Sequence, residues 1–168
     1  MKQQDIEKIL QSVAAGSMTA GAALERLKTL PFEDLGYAAV DHHRTIRQGF
    51  PEVIYGEGKT AAQISGIIKN MLPRKHPVLA TRIHAVKAKQ IKKRYPKAKY
   101  YPDSRVLTIT SGKIPRQGTG LILVISAGTS DIPVAEEAFL TAQIMGNRVE
   151  YLYDVGVAGI HRLFDVLE

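Results

Sequence analysis

The chain has 168 residues, 45% of them apolar, no cysteine, and a formal net charge of +7. That apolar share supports the core of one ordinary domain or two small ones, while the missing cysteine excludes disulfides, thiolate metal ligands and thiol nucleophiles from these residues. No run of about 18 apolar residues is available to cross a membrane, and MKQQDIEKIL has the wrong order of charge and apolarity for a signal peptide, so a cytoplasmic location is expected.

In chain order, Ile6, Ile9, Leu10 and Val13 recur at helical spacing from Asp5 to Ala15, Gly16 and Ser17 break the pattern, and Thr19 is placed to cap a second helix to about Thr29. A helical hairpin is expected. GYAAVD (36 to 41) and EVIY (52 to 55) are short apolar runs that end in polar residues. GEGKT then leads into AAQISGIIKNML, whose Ile64, Ile67, Ile68 and Met71 share one helical face. VLATR (78 to 82) follows Pro77 as a strand, HAVKAKQIKKRY as a helix, and SRVLTIT (104 to 110) as a further strand. From Lys59 to Pro102 there is no Asp or Glu, so this region favours an anionic partner unless it is a solvated lysine face.

The Gly/Pro-punctuated connection SGKIPRQGTG marks a boundary, giving a first domain over 1–112, a linker over 113–120 and a second domain from 121 to 168. LILVIS (121 to 126) is continuously apolar, as for a parallel strand buried on both faces. AGTSD makes a turn, IPVAEEAFLTAQIMG a helix ended by Gly146, VEYLYDV a second buried strand, and GVAGIHRLFDVLE the start of another helix. The pattern is β-turn-α-β-turn-α, and in such a sheet ligands sit at the carboxyl ends of the strands. The first turn brings Gly128, Thr129, Ser130 and Asp131 to that place, a set suited to ribose and phosphate; alternatively Ser130 or Asp131 only caps the helix. The second turn brings Asp154, Gly156, Gly159, His161 and Arg162 beside it.

These residues carry a resemblance. AGTSDIPVAEEA with DVGVAGIHRL resembles the amino half of the aminoimidazole ribonucleotide carboxylase/mutase (PurE) domain. DHHRTIRQGFPEVIYGEGKT (41 to 60) and VLATR resemble more narrowly the amino-terminal domain of LarB, the pyridinium-3,5-biscarboxylic acid mononucleotide synthase of nickel-pincer cofactor biosynthesis. Together these stretches run from about Gly36 to Leu163.

The resemblance implies an α/β protein: a helical hairpin and small α/β domain, followed by the opening βαβα of a PurE-like doubly wound parallel sheet. The implied substrate is nicotinic acid adenine dinucleotide, whose pyridinium ring takes up CO2 or bicarbonate and whose phosphoanhydride is hydrolysed to release AMP. Arg44, Arg47, Lys59 and Arg82 would then hold phosphates and the ring carboxylate, with Thr81 and one of the adjacent His42 and His43 (His43 as the choice) on the substrate. Asp41 and Glu52 would orient the arginines, or Asp41 would hold Mg2+ against the leaving phosphate; a plain ion pair between Asp41 and Arg44 or Arg47 is the alternative. No tightly bound cofactor and no metal cluster are expected, and the partners implied are the small-molecule substrate and further copies of the chain, not nucleic acid or membrane.

Enzymes of this resemblance are understood to use a cysteine in the later part of the carboxylase-like domain. The chain has none. With only two apolar strands after the linker, it reads as a fragment that does not turn over substrate alone, unless the amino-terminal strands complete the second sheet. Two other functions fit parts of the sequence. A purine-type carboxylase acting on aminoimidazole ribonucleotide leaves the 41 to 60 motif unused. A nucleic-acid-binding module would use the basic stretch with Tyr95, Tyr100 and Tyr101 as stacking residues.

Overall fold

A computed structural model describes residues 3–28, 33–34, 36–40, 44, 50–74, 76–156, 159 and 161–164. Asp41, His42, His43 and Arg47 lie outside the described residues. The chain divides into two compact units, Met1–Glu52 and Val53–Glu168.

In the first unit, helices α1 (Gln3–Ala14) and α2 (Ala20–Lys28) form the expected hairpin and bury Ile9 and Ala23. Gly16 turns the chain with a φ of 73°, which glycine adopts without a Cβ clash. Thr19 caps α2, its hydroxyl accepting from the Ala22 N–H at 3.2 Å. Strands β1 (Glu33–Asp34) and β2 (Ala39–Val40) pair antiparallel, Glu33 opposite Val40.

The second unit is built on a four-stranded sheet. Its strands are β3 (Val53–Tyr55), β4 (Val78–Thr81), β5 (Lys99–Tyr101) and β6 (Val106–Ile109), in the order β3-β4-β6-β5. β3 and β4 are parallel, and β6 runs antiparallel to both its neighbours. Helix α3 (Ala61–Met71) makes the crossover between β3 and β4, and α4 (Ala85–Arg94) leads from β4 to β5. A capping box starts α3: the Thr60 hydroxyl accepts from the Gln63 N–H at 3.2 Å while the Gln63 side chain accepts from the Thr60 N–H at 2.9 Å. Alternation along the strands gives the sheet two faces. Ile54, Val78, Ala80, Leu107 and Ile109 point to one face, and α3 and α4 supply Ile64, Ile67, Ile68, Met71, Ala88 and Ile91 to the buried core. β5, KYY, is a strand that the basic composition conceals from sequence reading.

β7 (Leu121–Ile125) and β8 (Arg148–Leu152) pair in parallel around helix α5 (Ile132–Ile144), as the alternation predicts. Helix α5 is ended by Gly146 at a φ of 84°. The final helix is described as α6 (His161–Phe164). β7 and β8 form a sheet of their own, so the amino-terminal strands do not extend it. Instead α5 links the two sheets. Its Leu140 and Ile144 pack on Leu79 and Val106 of the four-stranded sheet, joined by Val53, Tyr101 and Ile114, while Phe139 meets Tyr151 of β8 edge to face at 5.3 Å.

Two expectations need correction. β7 is not buried on both faces: Leu121, Leu123 and Ile125 are 48%, 46% and 56% exposed and Ile122 on the other face is 40% exposed, because α5 covers only the Val124 part of that face and β8 only one edge. In VEYLYDV, Tyr151 is 56% exposed although it meets Phe139 of α5, so neither strand is a central one among the described residues. No described helix is long and apolar enough to cross a membrane.

Candidate functional site

The strand directions decide where the loops go. β3 and β4 end at Tyr55 and Thr81, and the β5–β6 hairpin turns at residues 102–105 on the same end of the sheet. Helix α5 runs antiparallel to β4, because its early residues reach this end: Arg82 Nε lies 3.0 Å from Glu137 Oε2, and the Ser104 N–H donates to Glu136 Oε2 at 3.1 Å. The Arg82 N–H does not point at the carboxylate, so that contact is an ion pair and not a hydrogen bond. The turn that precedes α5, and the carboxyl ends of β7 and β8, therefore share this end with the loops after β3 and β4. Lys59, Thr81, Arg82, the residues 128–131 and the residues 154–162 that are described all belong to it.

At the first loop, the Gly56 N–H donates to Thr81 O at 2.8 Å and Gly56 O accepts from Lys87 Nζ at 3.2 Å. A Cβ on residue 56 would collide with Ile83 Cδ1 and stand 2.9 Å from Thr81 O, so this close approach requires glycine. Tyr55 donates its hydroxyl to Glu57 Oε2 at 2.8 Å. That bond holds the Glu57 carboxyl below its ordinary range, with Arg105, Arg82 and His84 acting in the same direction, and raises the Tyr55 phenol. Lys59 is half-buried beside them, its N–H donating to Gly56 O, and Thr81 is buried.

At the turn before α5, Asp131 Oδ2 accepts from the Gly128 N–H at 2.9 Å. Asp131 thus closes its own turn and does not cap α5 with its side chain. Thr129 and Ser130 are exposed. The second turn lies directly against the first: the Val155 N–H donates to Ser126 O at 3.1 Å and the Gly156 N–H to Ala127 O at 2.8 Å. A Cβ at Gly156 would stand 2.8 Å from that same Ala127 oxygen, which explains the glycine. Asp154 and Arg162 form an ion pair at 2.6 Å, and Arg162 folds over Gly159. His161 is exposed.

Arg44 and Glu52 belong to the first unit. The Arg44 guanidinium stands 5.5 Å from the centre of the Phe50 ring, a cation–π contact, and its buried Nε has no hydrogen-bond partner among the described residues. Glu52 is engaged by a partner. Among the described residues no group of His, Asp and Glu could hold a metal ion; Asp41 lies outside them. A shallow groove of about 440 Å³ lies at the opposite end, at the carboxyl end of α5, between Arg116, Gln143, Asn147 and Arg148. It is far from the loops that the sheet topology aligns.

A family described as LarB/PurE-like N-terminal domain matches residues 32–111. An uncharacterized protein of Methanocaldococcus jannaschii is 32% identical over 171 residues, covering 98% of this chain and 67% of the relative. The chain belongs to the LarB family. Within this LarB-family chain the matched span takes in β1 to β6 and hence the whole GEGKT and VLATR end of the four-stranded sheet. The family is of carboxylase/mutase type.

The tyrosines offered for nucleic-acid stacking have structural duties in this LarB-family fold. Tyr95 donates to Ser65 O and Tyr100 to Ile83 O, each at 2.8 Å, and Tyr101 packs on the Leu79 cluster. Burial raises the phenols of Tyr95 and Tyr100.

Sequence reading gives no role to Glu57, Tyr55, Arg105 or Ser126. Glu57 had a usable signal, since it stands inside GEGKT two residues beyond a strand end. Ser126 ends LILVIS and is 6% exposed, with its Oγ unpartnered among the described residues. Arg105 had none, because only the hairpin brings it to this end.

Proposed function

We propose that the chain binds nicotinic acid adenine dinucleotide and serves the carboxylation of its pyridinium ring and the release of AMP. The observation that carries this reading is the family match over residues 32–111, which includes the cation-rich 41 to 60 stretch and the Lys59 and Arg82 end of the sheet. Lys59 and Arg82 supply positive charge for phosphate oxygens. The two touching turns, with Thr129, Ser130 and Asp131 in one and Asp154, His161 and Arg162 in the other, supply hydroxyls and exchangeable donors for ribose. In this reading Arg44, Arg47 and His43 of the 41 to 60 stretch also serve substrate binding, and Asp41 and Glu52 position the arginines or, at Asp41, a divalent cation.

Carboxylation needs electron density at the ring carbon that meets CO2. A thiolate adding to the pyridinium ring provides it, because sulfur attacks readily and leaves readily. The 168 residues contain no cysteine, so the chain binds its substrate but does not carboxylate it alone. Titration calorimetry with nicotinic acid adenine dinucleotide, together with assays for AMP release and labelled bicarbonate uptake, tests both halves. Binding without turnover is expected. Turnover by these 168 residues would refute the thiolate argument, and no binding by the chain would refute the substrate.

A further inference from the structure

Among the described residues three non-glycine residues hold a positive φ, Arg82 at 56°, Arg105 at 53° and Asp154 at 62°, and all three stand at the loop end of the second unit. Arg105 closes the turn between β5 and β6, where glycine or asparagine would adopt this conformation with less strain. The turn alone therefore does not explain an arginine. The backbone ties it to its neighbour: the Ile83 N–H donates to Arg105 O at 2.8 Å, so Arg105 is fixed beside the residue that follows Arg82.

The two arginines differ in one respect. Arg82 is paired with Glu137, whereas no carboxylate lies within ion-pair distance of Arg105 among the described residues. On the neighbouring loops lie Lys59, Lys87 and His84, together with two carboxylates: Glu57, held low by its bond to Tyr55 and in part by the Arg105 charge, and Glu136, which accepts from the Ser104 N–H next to Arg105. A half-buried guanidinium on left-handed backbone, with no ion-pair partner among the described residues and at the loop end of the sheet, is suited to a doubly charged oxyanion.

We infer that Arg105 is a further ligand-binding residue, its guanidinium receiving phosphate oxygens of the ligand at the end of the sheet where Arg82 and Lys59 stand. The inference deepens the function proposed above by taking the phosphoanhydride as the group held, but its test does not depend on the nicotinate. Inorganic pyrophosphate is the probe, titrated calorimetrically at fixed ionic strength into the 168-residue chain and into Arg105→Gly, Arg105→Lys and Lys93→Ala. Lys93 lies on the exposed face of α4 and controls for net charge.

Arg105→Gly is expected to keep or raise the melting temperature, because the strain is relieved, while weakening pyrophosphate about tenfold or more. Arg105→Lys is expected to fall between, and Lys93→Ala to bind like the parent. Unchanged affinity in Arg105→Gly would overturn the inference. So would equal losses in Arg105→Gly and Lys93→Ala, or a parent chain that does not bind pyrophosphate. If Arg105→Gly fails to fold, Arg105→Asn, which also tolerates the left-handed conformation, gives the same reading. A parent that binds pyrophosphate but not nicotinic acid adenine dinucleotide would sink the proposed substrate and leave the Arg105 assignment standing.

Discussion

Helix α5 joins two sheets, and Leu140→Ala measures how firmly. Leu140 is 4% exposed and lies in one cluster with Leu79, Val106 and Ile144. Removing three side-chain carbons loses about 2.4 kcal/mol of transfer free energy at roughly 0.8 kcal/mol per buried carbon. A cavity term adds to this, because β4 and β6 are hydrogen-bonded on both sides and cannot close on the gap; the total should be about 3 kcal/mol. Val134→Ala on the same helix is the control, since Val134 is 62% exposed and should cost less than about 0.5 kcal/mol. Urea unfolding followed by circular dichroism gives both values, and hydrogen exchange at the β4 amides shows whether the loss is felt in the sheet. A cost below about 1 kcal/mol for Leu140→Ala, or one equal to that of Val134→Ala, would refute the docking of α5 on the four-stranded sheet.

Gly56→Ala should cost about 1 to 3 kcal/mol by overpacking, read as a lower melting temperature, because the new Cβ meets Ile83 and the Thr81 carbonyl; an unchanged melting temperature would show that the loop is not held as described. The Tyr55–Glu57 bond sets a pH window with opposite signs at its two ends. Glu57 is depressed when folded, so its contribution is present above the ordinary carboxyl value of 4.5 and is lost as pH falls through the folded value. Tyr55 is raised, so its contribution is present below 10.0 and is lost as pH rises through the folded value. Absorbance titration should therefore find the Tyr55 phenol above 10.0 in the parent and closer to it in Glu57→Gln.

Much of the second unit was legible because its signals are local. Ile64, Ile67, Ile68 and Met71 share a helical face, a signal that depends on spacing alone. The two turns beside α5 were legible for a similar reason: a parallel β-turn-α-β order forces their ends together, as the Gly156 to Ala127 bond shows. β5 was not legible, since Lys99, Tyr100 and Tyr101 carry no apolar alternation and are a strand only because β6 lies beside them. Arg105 was hidden for the same cause.

The packing of α5 was written in the sequence in a form easily misread. IPVAEEAFLTAQI is apolar nearly all round, and a helix without a polar side is buried on more than one side. Beside a βαβ pattern that composition suggests a large sheet above the helix, and LILVIS suggests a strand inside that sheet. The structure divides the two signals. The all-round apolarity of α5 is used by two different sheets, with Leu140 and Ile144 on one and Phe139 on the other. β7 uses little of its own, since only Val124 is partly covered and Ile122 stays exposed. The β7–β8 register pairs Val124 with Tyr151, and Tyr151 meets Phe139, so Val124 faces α5 and strand alternation turns Leu121, Leu123 and Ile125 away from it. A continuous apolar run thus shows that a strand can be covered on both faces, while what covers the second face is a property of other residues.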